Sequence, residues 1–365
     1  MSKPQVLFIG DLNESLDEFQ AFKQKFEIIH YKLTTKQDFI HSLTTRFQSI
    51  SAIYCGWAGF MPIGGLTDDL IQLLPQTLKV ITCCSVGYDP YDVESLKTKG
   101  IYFYNTPSLG ADHVADLVLW HVLESFRKFS TFQRITNDKG DTVKTRGSLQ
   151  THGYDTEKGG LGVDQDEWER ETYPFGHICG GLKVKGPRGS KIGLIGFGKI
   201  GQKIGKRCDA LGMNVYYHKR QPLDKLEELI LGYKVEYLEL DELLQNCEVI
   251  VICCPGNKST MNLLNRERLD LIQSNGKIIN VGRGFIIDEE YMISKLEKGE
   301  LGFIGMDVFT GEPNINPRLL NRSDVSLTPH IGSSTEDVFD NTAIFNLKNI
   351  YDELIMGKDG ESRVV

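Results

Sequence analysis

No apolar run in this 365-residue chain approaches the roughly 20 residues needed to cross a bilayer as a helix. An ordinary helical membrane span is therefore not part of its plan. Basic residues never gather into a block, and 41 of them stand against 49 acidic ones, for a net charge of −8. That balance argues against nucleic acid or an anionic membrane as the main partner. The eight cysteines lack any metal-ligand spacing, and Cys55, Cys83, Cys84, Cys253 and Cys254 sit at the ends of apolar runs. A thiol in such a place acts as a small buried hydrophobe. No metal is expected, and reduced thiols suit a reducing compartment. The opening Met1-Ser2-Lys3-Pro4 runs straight into Val6-Leu7-Phe8-Ile9 without signal or transit character, so the expected address is cytoplasmic.

With 40% hydrophobic and 25% charged residues the composition is that of a globular protein, and the length calls for two domains. Short apolar runs alternate with amphipathic stretches throughout, the mark of parallel α/β sheets. The first series predicts strands at Val6–Ile9, Ile28–Tyr31, Ala52–Cys55, Leu78–Cys83 and Ile101–Tyr104. Leu16, Phe19, Phe22 and Phe26 fall at helical spacing between two of them. A second series predicts strands at Lys191–Ile195, Asn214–Tyr217, Val235–Leu238, Val249–Cys253, Lys277–Asn280, Phe303–Met306 and Val325–Leu327. Between the series lie a mostly apolar helix, about Ala111–Phe129, and a polar, Gly-rich stretch from Asn137 to Gly189 that reads as irregular loop, an arm or interface segment. A helix with Phe339, Ala343, Leu347 and Leu354 on related faces is expected over about Ser334–Met356, followed by a short polar tail.

The strand Ile192–Ile195 leads directly into Gly196-Phe197-Gly198-Lys199-Ile200-Gly201, and a helical pattern through Ile204, Cys208 and Leu211 follows. In that setting the three glycines give a tight turn, close approach to a dinucleotide diphosphate at the helix N-terminus, and close helix-on-strand packing. The next strand ends at Tyr217 and is followed by His218-Lys219-Arg220 instead of the acidic residue that would accept from an NAD ribose. These cations suit the 2′-phosphate of NADP(H), though a solvated basic turn would read the same way. NADP(H) is the expected cofactor, with NAD(H) as a second possibility.

The chain resembles the D-isomer-specific 2-hydroxyacid dehydrogenase family, especially its fungal mandelate dehydrogenase and glyoxylate/hydroxypyruvate reductase branches. The matching segments follow the family's order: Ser85-Val86-Gly87-Tyr88-Asp89, Asn105-Thr106-Pro107, Val114-Ala115-Asp116, the glycine loop, Asn280-Val281-Gly282-Arg283-Gly284, Gly305-Met306-Asp307-Val308-Phe309, Glu312-Pro313 and Thr328-Pro329-His330-Ile331-Gly332. The resemblance implies two doubly wound α/β domains with a cleft between them. One is a discontinuous, flavodoxin-like substrate domain of residues 1–107 and 333–365; the other is a Rossmann domain of residues 108–332 that includes an arm at about 131–189. It also implies a homodimer and a small 2-oxo or 2-hydroxy acid as substrate.

Roles carried by the resemblance also make chemical sense. Arg283 would clamp the substrate carboxylate and polarise the carbonyl with its planar fork. His330 would be the acid in reduction and the base in oxidation, with Glu312 orienting and charging its ring. The backbone of Ser85, Val86 and Gly87 would give a second carboxylate anchor. Cys254 and Pro255 would lie beside the adenosine, Val281, Gly282 and Asp307 beside the nicotinamide, and Gly332 and Thr106 near the cofactor. Two features depart from the family. The link over 137–189 is long, and Gly56-Trp57-Ala58-Gly59-Phe60 places bulky aromatics where substrate-facing loops are expected. Trp57 either lines an apolar pocket for a larger acid or packs under its loop. A nucleotide-sensing, corepressor-like protein would share this fold, but the complete Arg, Glu and His set argues for turnover. Formate dehydrogenases pair the histidine with glutamine, which Glu312 disfavours.

Overall fold

The apolar runs of the first hundred residues become five parallel strands: β1 (Gln5–Ile9), β2 (Glu27–Tyr31), β3 (Ile50–Cys55), β4 (Val80–Cys83) and β5 (Tyr102–Tyr104). The structure is a computed structural model and describes residues 3–107, 109–162 and 173–365. The strands lie in the order β2-β1-β3-β4-β5, the flavodoxin-like arrangement. Residues of β1 are buried on both faces because helices cover both sides, as parallel sheets require. On one side Phe19 and Phe22 of the helix Asp17–Lys25 meet Phe8 edge-on, with centroids 5.7 and 6.1 Å away. Local signals agree with this packing: Thr35 and Asp92 cap the helices Lys36–Thr45 and Val93–Lys99, and Gly100 ends the latter in a left-handed conformation.

The expected helix over Ala111–Phe129 stops at Arg127, because Lys128 turns left-handed (φ 54°) and a second helix runs from Phe129 to Lys139. The Lys128 ammonium is buried 5.1 Å over the Phe303 ring. The stretch expected as irregular loop contains more structure than its composition suggests. A helix spans Thr142–Thr151, started by Asp141 accepting from the amides of Val143 and Lys144. Its buried residues are Thr145, Gly147, Ser148 and Leu149, so no apolar stripe announces it. Two short hairpins follow, β6 (Tyr154–Asp155) with β7 (Gly160–Leu161), and β8 (Ile178–Cys179) with β9 (Leu182–Lys183). Arg322, paired through two bonds of 2.9 Å with Asp324, also donates to the carbonyls of Thr156 and Glu157 and ties the first hairpin down. Part of the arm expected over 131–189, residues 163–172, lies outside the described residues.

The second series gives seven parallel strands: β10 (Lys191–Ile195), β11 (Asn214–His218), β12 (Val235–Tyr237), β13 (Val249–Ile252), β14 (Gly276–Asn280), β15 (Leu301–Met306) and β16 (Val325–Leu327). Their order is β12-β11-β10-β13-β14-β15-β16, the doubly wound dinucleotide arrangement with its crossover reversal between β10 and β13. The helix Lys199–Ala210 packs beside Ala111–Arg127 through Ala115, Val118, Val122, Ile204 and Cys208, with Arg207 bonded to Asp116 at 2.7 Å. The last helix is Glu336–Tyr351, extended by a π-turn over Asp352–Met356. The chain divides into two compact units, Met1–Gly110 with Ser334–Val365, and Ala111–Ser333.

All eight cysteines are free. Burial pushes the thiols of Cys83 and Cys254 up to about 11 and those of Cys84 and Cys208 up to about 12, which keeps them protonated and inert. Among the described residues no helix is long and apolar enough to cross a membrane.

Candidate functional site

In an open α/β sheet, ligands bind beyond the carboxyl ends of the strands at the topological switch point. In the second unit that point is the glycine loop after β10, and each glycine there has its own physical reason. Gly196 has φ +98°, and a Cβ on it would sit 2.6 Å from the Cys254 amide nitrogen beyond β13. A Cβ on Gly201 would lie 2.4 Å from the Gly196 carbonyl oxygen, so this glycine lets helix and turn touch. Gly198 is the N-cap of Lys199–Ala210, uses no side-chain cap, and would point a Cβ into open space. The first amides of a twelve-residue helix are thus left to an outside acceptor, and the loop fits a diphosphate. The Phe197 side chain is core, stacked on Tyr217 with centroids 4.3 Å apart, and Ile200 packs on the same cluster, so these residues offer only backbone to a ligand. Beyond β11, His218 Nδ1 is held 3.1 Å from the Leu238 carbonyl, Lys219 is half-buried and Arg220 exposed.

Beyond β14 the chain turns tightly around Asn280. Its Oδ1 accepts from the Gly282 amide at 3.0 Å and its Nδ2 donates to the Arg283 carbonyl at 3.0 Å. The side chain thereby fixes the Val281–Arg283 turn from inside the core. Gly256, just past Cys254 and Pro255, leaves room for the Arg283 stem: a Cβ there would be 2.5 Å from Arg283 Cγ. Arg283 Nη1 donates to the Gly282 carbonyl at 2.8 Å. Gly284 is pressed against the next loop, where a Cβ would lie 2.0 Å from the Phe309 carbonyl carbon. Asn280 and Gly256 thus shape the Arg283 turn, and Gly284 sets it against the loop that carries Glu312. Only the Asn280–Gly284 run itself was visible as a motif in the sequence.

Glu312 Oε1 accepts from the Phe309 amide at 2.8 Å, and its Oε2 lies 3.0 Å from His330 Nδ1. Burial pushes the Glu312 carboxyl up, but the hydrogen bonds from His330 and the Phe309 amide and the nearby charges of His330 and Arg283 outweigh it, leaving the group below its ordinary range. Both side chains remain about a quarter exposed, 27% for His330 and 26% for Glu312, so a small molecule can reach the ring. His330 itself adopts φ 55°, a left-handed conformation uncommon for a non-glycine residue. Asp307, expected beside the nicotinamide, holds this turn. It is 3% exposed; Oδ1 accepts from Thr328 Oγ1 and the Ile331 amide, and Oδ2 accepts from the Gly332 amide, all at 2.7–2.9 Å.

In the first unit Ser85, Val86 and Gly87 form the loop after β4. Ser85 Oγ donates to the Gly87 carbonyl at 2.8 Å, and Val86 is 45% exposed. The Thr106 amide donates to the Ser85 carbonyl, and its hydroxyl donates to the Cys83 carbonyl and accepts from Asn346 Nδ2 at 2.8 Å. Thr106 was expected near the cofactor. Its 1% exposure and its engaged hydroxyl make it a brace of this loop. Trp57, on the loop after β3, is half exposed.

A glycine loop that fits a diphosphate at the switch point and a hydrogen-bonded Glu312–His330 pair at the far strands of one sheet suit a dinucleotide-dependent oxidoreductase. Comparison with known proteins places it further. Residues 164–332 match the model of the D-isomer specific 2-hydroxyacid dehydrogenase NAD binding domain. The chain is 33% identical to a Saccharomyces cerevisiae protein whose name assigns it provisionally to the 2-hydroxyacid dehydrogenases, over 95% of this chain and 93% of that one. It is 30% identical to the glyoxylate reductase of Thermococcus litoralis, over 77% and 75% of the two chains. Among solved structures, the holo form of Rhodotorula graminis D-mandelate dehydrogenase matches with a TM-score of 0.85 at 28% identity, covering 100% of this chain and 98% of that one. The chain belongs to the D-isomer-specific 2-hydroxyacid dehydrogenase family.

Proposed function

We propose that the protein reduces a small 2-oxo acid to the D-2-hydroxy acid with NADPH, and catalyses the reverse oxidation. The observation that carries this reading is the 3.0 Å pair of Glu312 and His330, with Arg283 near enough to influence the carboxylate. The dinucleotide supplies the hydride. Arg283 takes the substrate carboxylate in its fork and polarises the neighbouring carbonyl. His330, with Nδ1 engaged by Glu312, uses Nε2 to give a proton to the carbonyl oxygen, and Glu312 stabilises the ring while it is charged. The amides of Ser85, Val86 and Gly87 offer donors suited to a substrate carboxylate. Val281 and Gly282 offer backbone to the nicotinamide side, and Cys254 and Pro255 to the adenosine side.

Lys219 and Arg220 support NADPH over NADH, since a carboxylate at that place would repel a 2′-phosphate and neither residue is one. A half-exposed Trp57 supports an apolar substituent on the acid. The exposed Tyr173 (78%) and Phe175 (85%) support the arm as a homodimer contact, to be checked by the mass in sedimentation. Free, protonated thiols are in keeping with the cytosol. The deciding experiment is a screen of 2-oxo acids, from glyoxylate and hydroxypyruvate to branched and aromatic ones, with NADH and NADPH, following loss of reduced nicotinamide absorbance. Absence of turnover with every acid and both cofactors would overturn the reading.

A further inference from the structure

The short polar segment after the last helix does not hang free. Val364 donates its amide to the Phe103 carbonyl at 2.8 Å and the Phe103 amide donates to the Val365 carbonyl at 3.2 Å, so the segment pairs antiparallel with the edge of β5. The Arg363 guanidinium lies over the Tyr102 ring at 3.8 Å, and Asn349 of the last helix exchanges two hydrogen bonds with the Glu361 backbone. Between these anchors Ser362 has φ 62°. A serine held left-handed is uncommon, and such strain persists only where its surroundings enforce it. Its hydroxyl donates to Asn105 Oδ1 at 2.7 Å.

Asn105 carries the connection to the loop after β4. With Oδ1 taken by Ser362, its Nδ2 faces the Val86 carbonyl and donates to it at 2.7 Å. The peptide joining Val86 to Gly87 is planar and trans, so pinning the Val86 carbonyl also sets the Gly87 N–H, which points the opposite way. That N–H is one of the amides assigned above to the substrate carboxylate. We propose that Ser362 and Asn105 are positioning residues for the substrate: the segment Ser362–Val365 orients the Asn105 amide, which fixes the Val86–Gly87 peptide plane and aims the Gly87 N–H. This inference rests on the reading of the Ser85–Gly87 loop as a carboxylate anchor.

The test uses the full chain carrying Ser362→Ala or Asn105→Ala. Loss of one neutral hydrogen bond should raise KM for the 2-oxo acid about three- to tenfold while kcat stays within about twofold and dinucleotide affinity is unchanged. Amide hydrogen exchange at residues 85–88 should quicken in both variants. Ser362→Gly removes the hydroxyl but relieves the left-handed strain, so it gives the same readouts should Ser362→Ala fold poorly. Ser362→Asn, which keeps a donor and tolerates that conformation, should restore KM toward the wild-type value. Wild-type KM in the hydroxyl-less variants, or unchanged exchange in the loop, overturns the proposal. A wild type that reduces no 2-oxo acid would instead defeat the functional reading, and the exchange data would still decide whether the segment orders the loop.

Discussion

At the scale of single residues, the chemistry assigned to His330 requires an imidazole that carries a proton at the moment of reduction. His330→Ala should therefore abolish turnover while leaving dinucleotide binding nearly intact, as fluorescence titration with NADPH would report. In Glu312→Gln the anion that stabilises the ring while it is charged is gone, so kcat for reduction should fall while dinucleotide affinity is unchanged. Wild-type kcat in this variant would show that Glu312 has no part in the proton transfer. Arg283→Lys replaces a planar fork by a point charge. Because the same group binds the carboxylate and polarises the carbonyl, kcat should fall as KM rises, and a change in KM alone would separate the two duties. Lys219 and Arg220 are partly solvated, so their pairing with a 2′-phosphate should contribute on the order of 1.5–3 kcal/mol, a preference of roughly ten- to a hundredfold for NADPH. In Lys219→Ala/Arg220→Ala, kcat/KM for NADPH should drop with that for NADH unchanged; equal use of both cofactors by the wild type would leave the turn a solvated loop.

Elements carry the same site at the next scale, where loops from different strands are held by contacts too long-range to see in the chain. Gly256 follows β13 and makes room for the stem of Arg283, which follows β14. In Gly256→Ala the new methyl meets Arg283 Cγ and Phe285 Cζ, each at 2.5 Å, and these are side-chain atoms that can shift. The protein should fold, but a displacement of the fork by about 1 Å is enough to cost on the order of a hundredfold in kcat/KM. NADPH affinity should change far less, because the loop proposed to hold the diphosphate is the separate Gly196–Gly201 turn. Wild-type kinetics in this variant would show that the Arg283 stem has freedom to spare. The strands themselves were legible, since runs such as Val249-Ile250-Val251-Ile252 are buried on both faces of a parallel sheet and so are uniformly apolar. The helix Thr142–Thr151 was not legible, because apart from Leu149 it buries only small and polar residues.

For the molecule as a whole, one buried histidine makes stability depend on pH. His121 is 0% exposed, with Nδ1 hydrogen-bonded to Ser326 at 2.5 Å, and burial lowers its pKa from 6.5 to about 4. The folded chain therefore resists the protonation that the unfolded chain accepts. Stability is full above about pH 6.5 and declines as pH falls toward 4. At pH 5 the loss from this group alone is about 2 kcal/mol. Urea unfolding at pH 8 and pH 5 should show that difference on top of a carboxylate background, and His121→Asn should reduce it. An equal decline in wild type and variant would place the acid sensitivity elsewhere.

By itself the sequence determined the two α/β series and the glycine loop, and nominated Arg283, Glu312 and His330 as the candidate site. These depend on local pattern: apolar runs of strand length, glycine at fixed offsets, and motifs in a fixed order. Tertiary structure alone decided what holds them. Asp307 gives its carboxylate to the left-handed turn that bears His330, bonding amides 24 and 25 residues on, and Ser362 reaches Asn105 from 257 residues away. In each case a short polar side chain satisfies backbone or side-chain groups that only folding brings near. A hydrogen bond between distant residues leaves no periodicity in the chain, so no reading of neighbours along the sequence can find it.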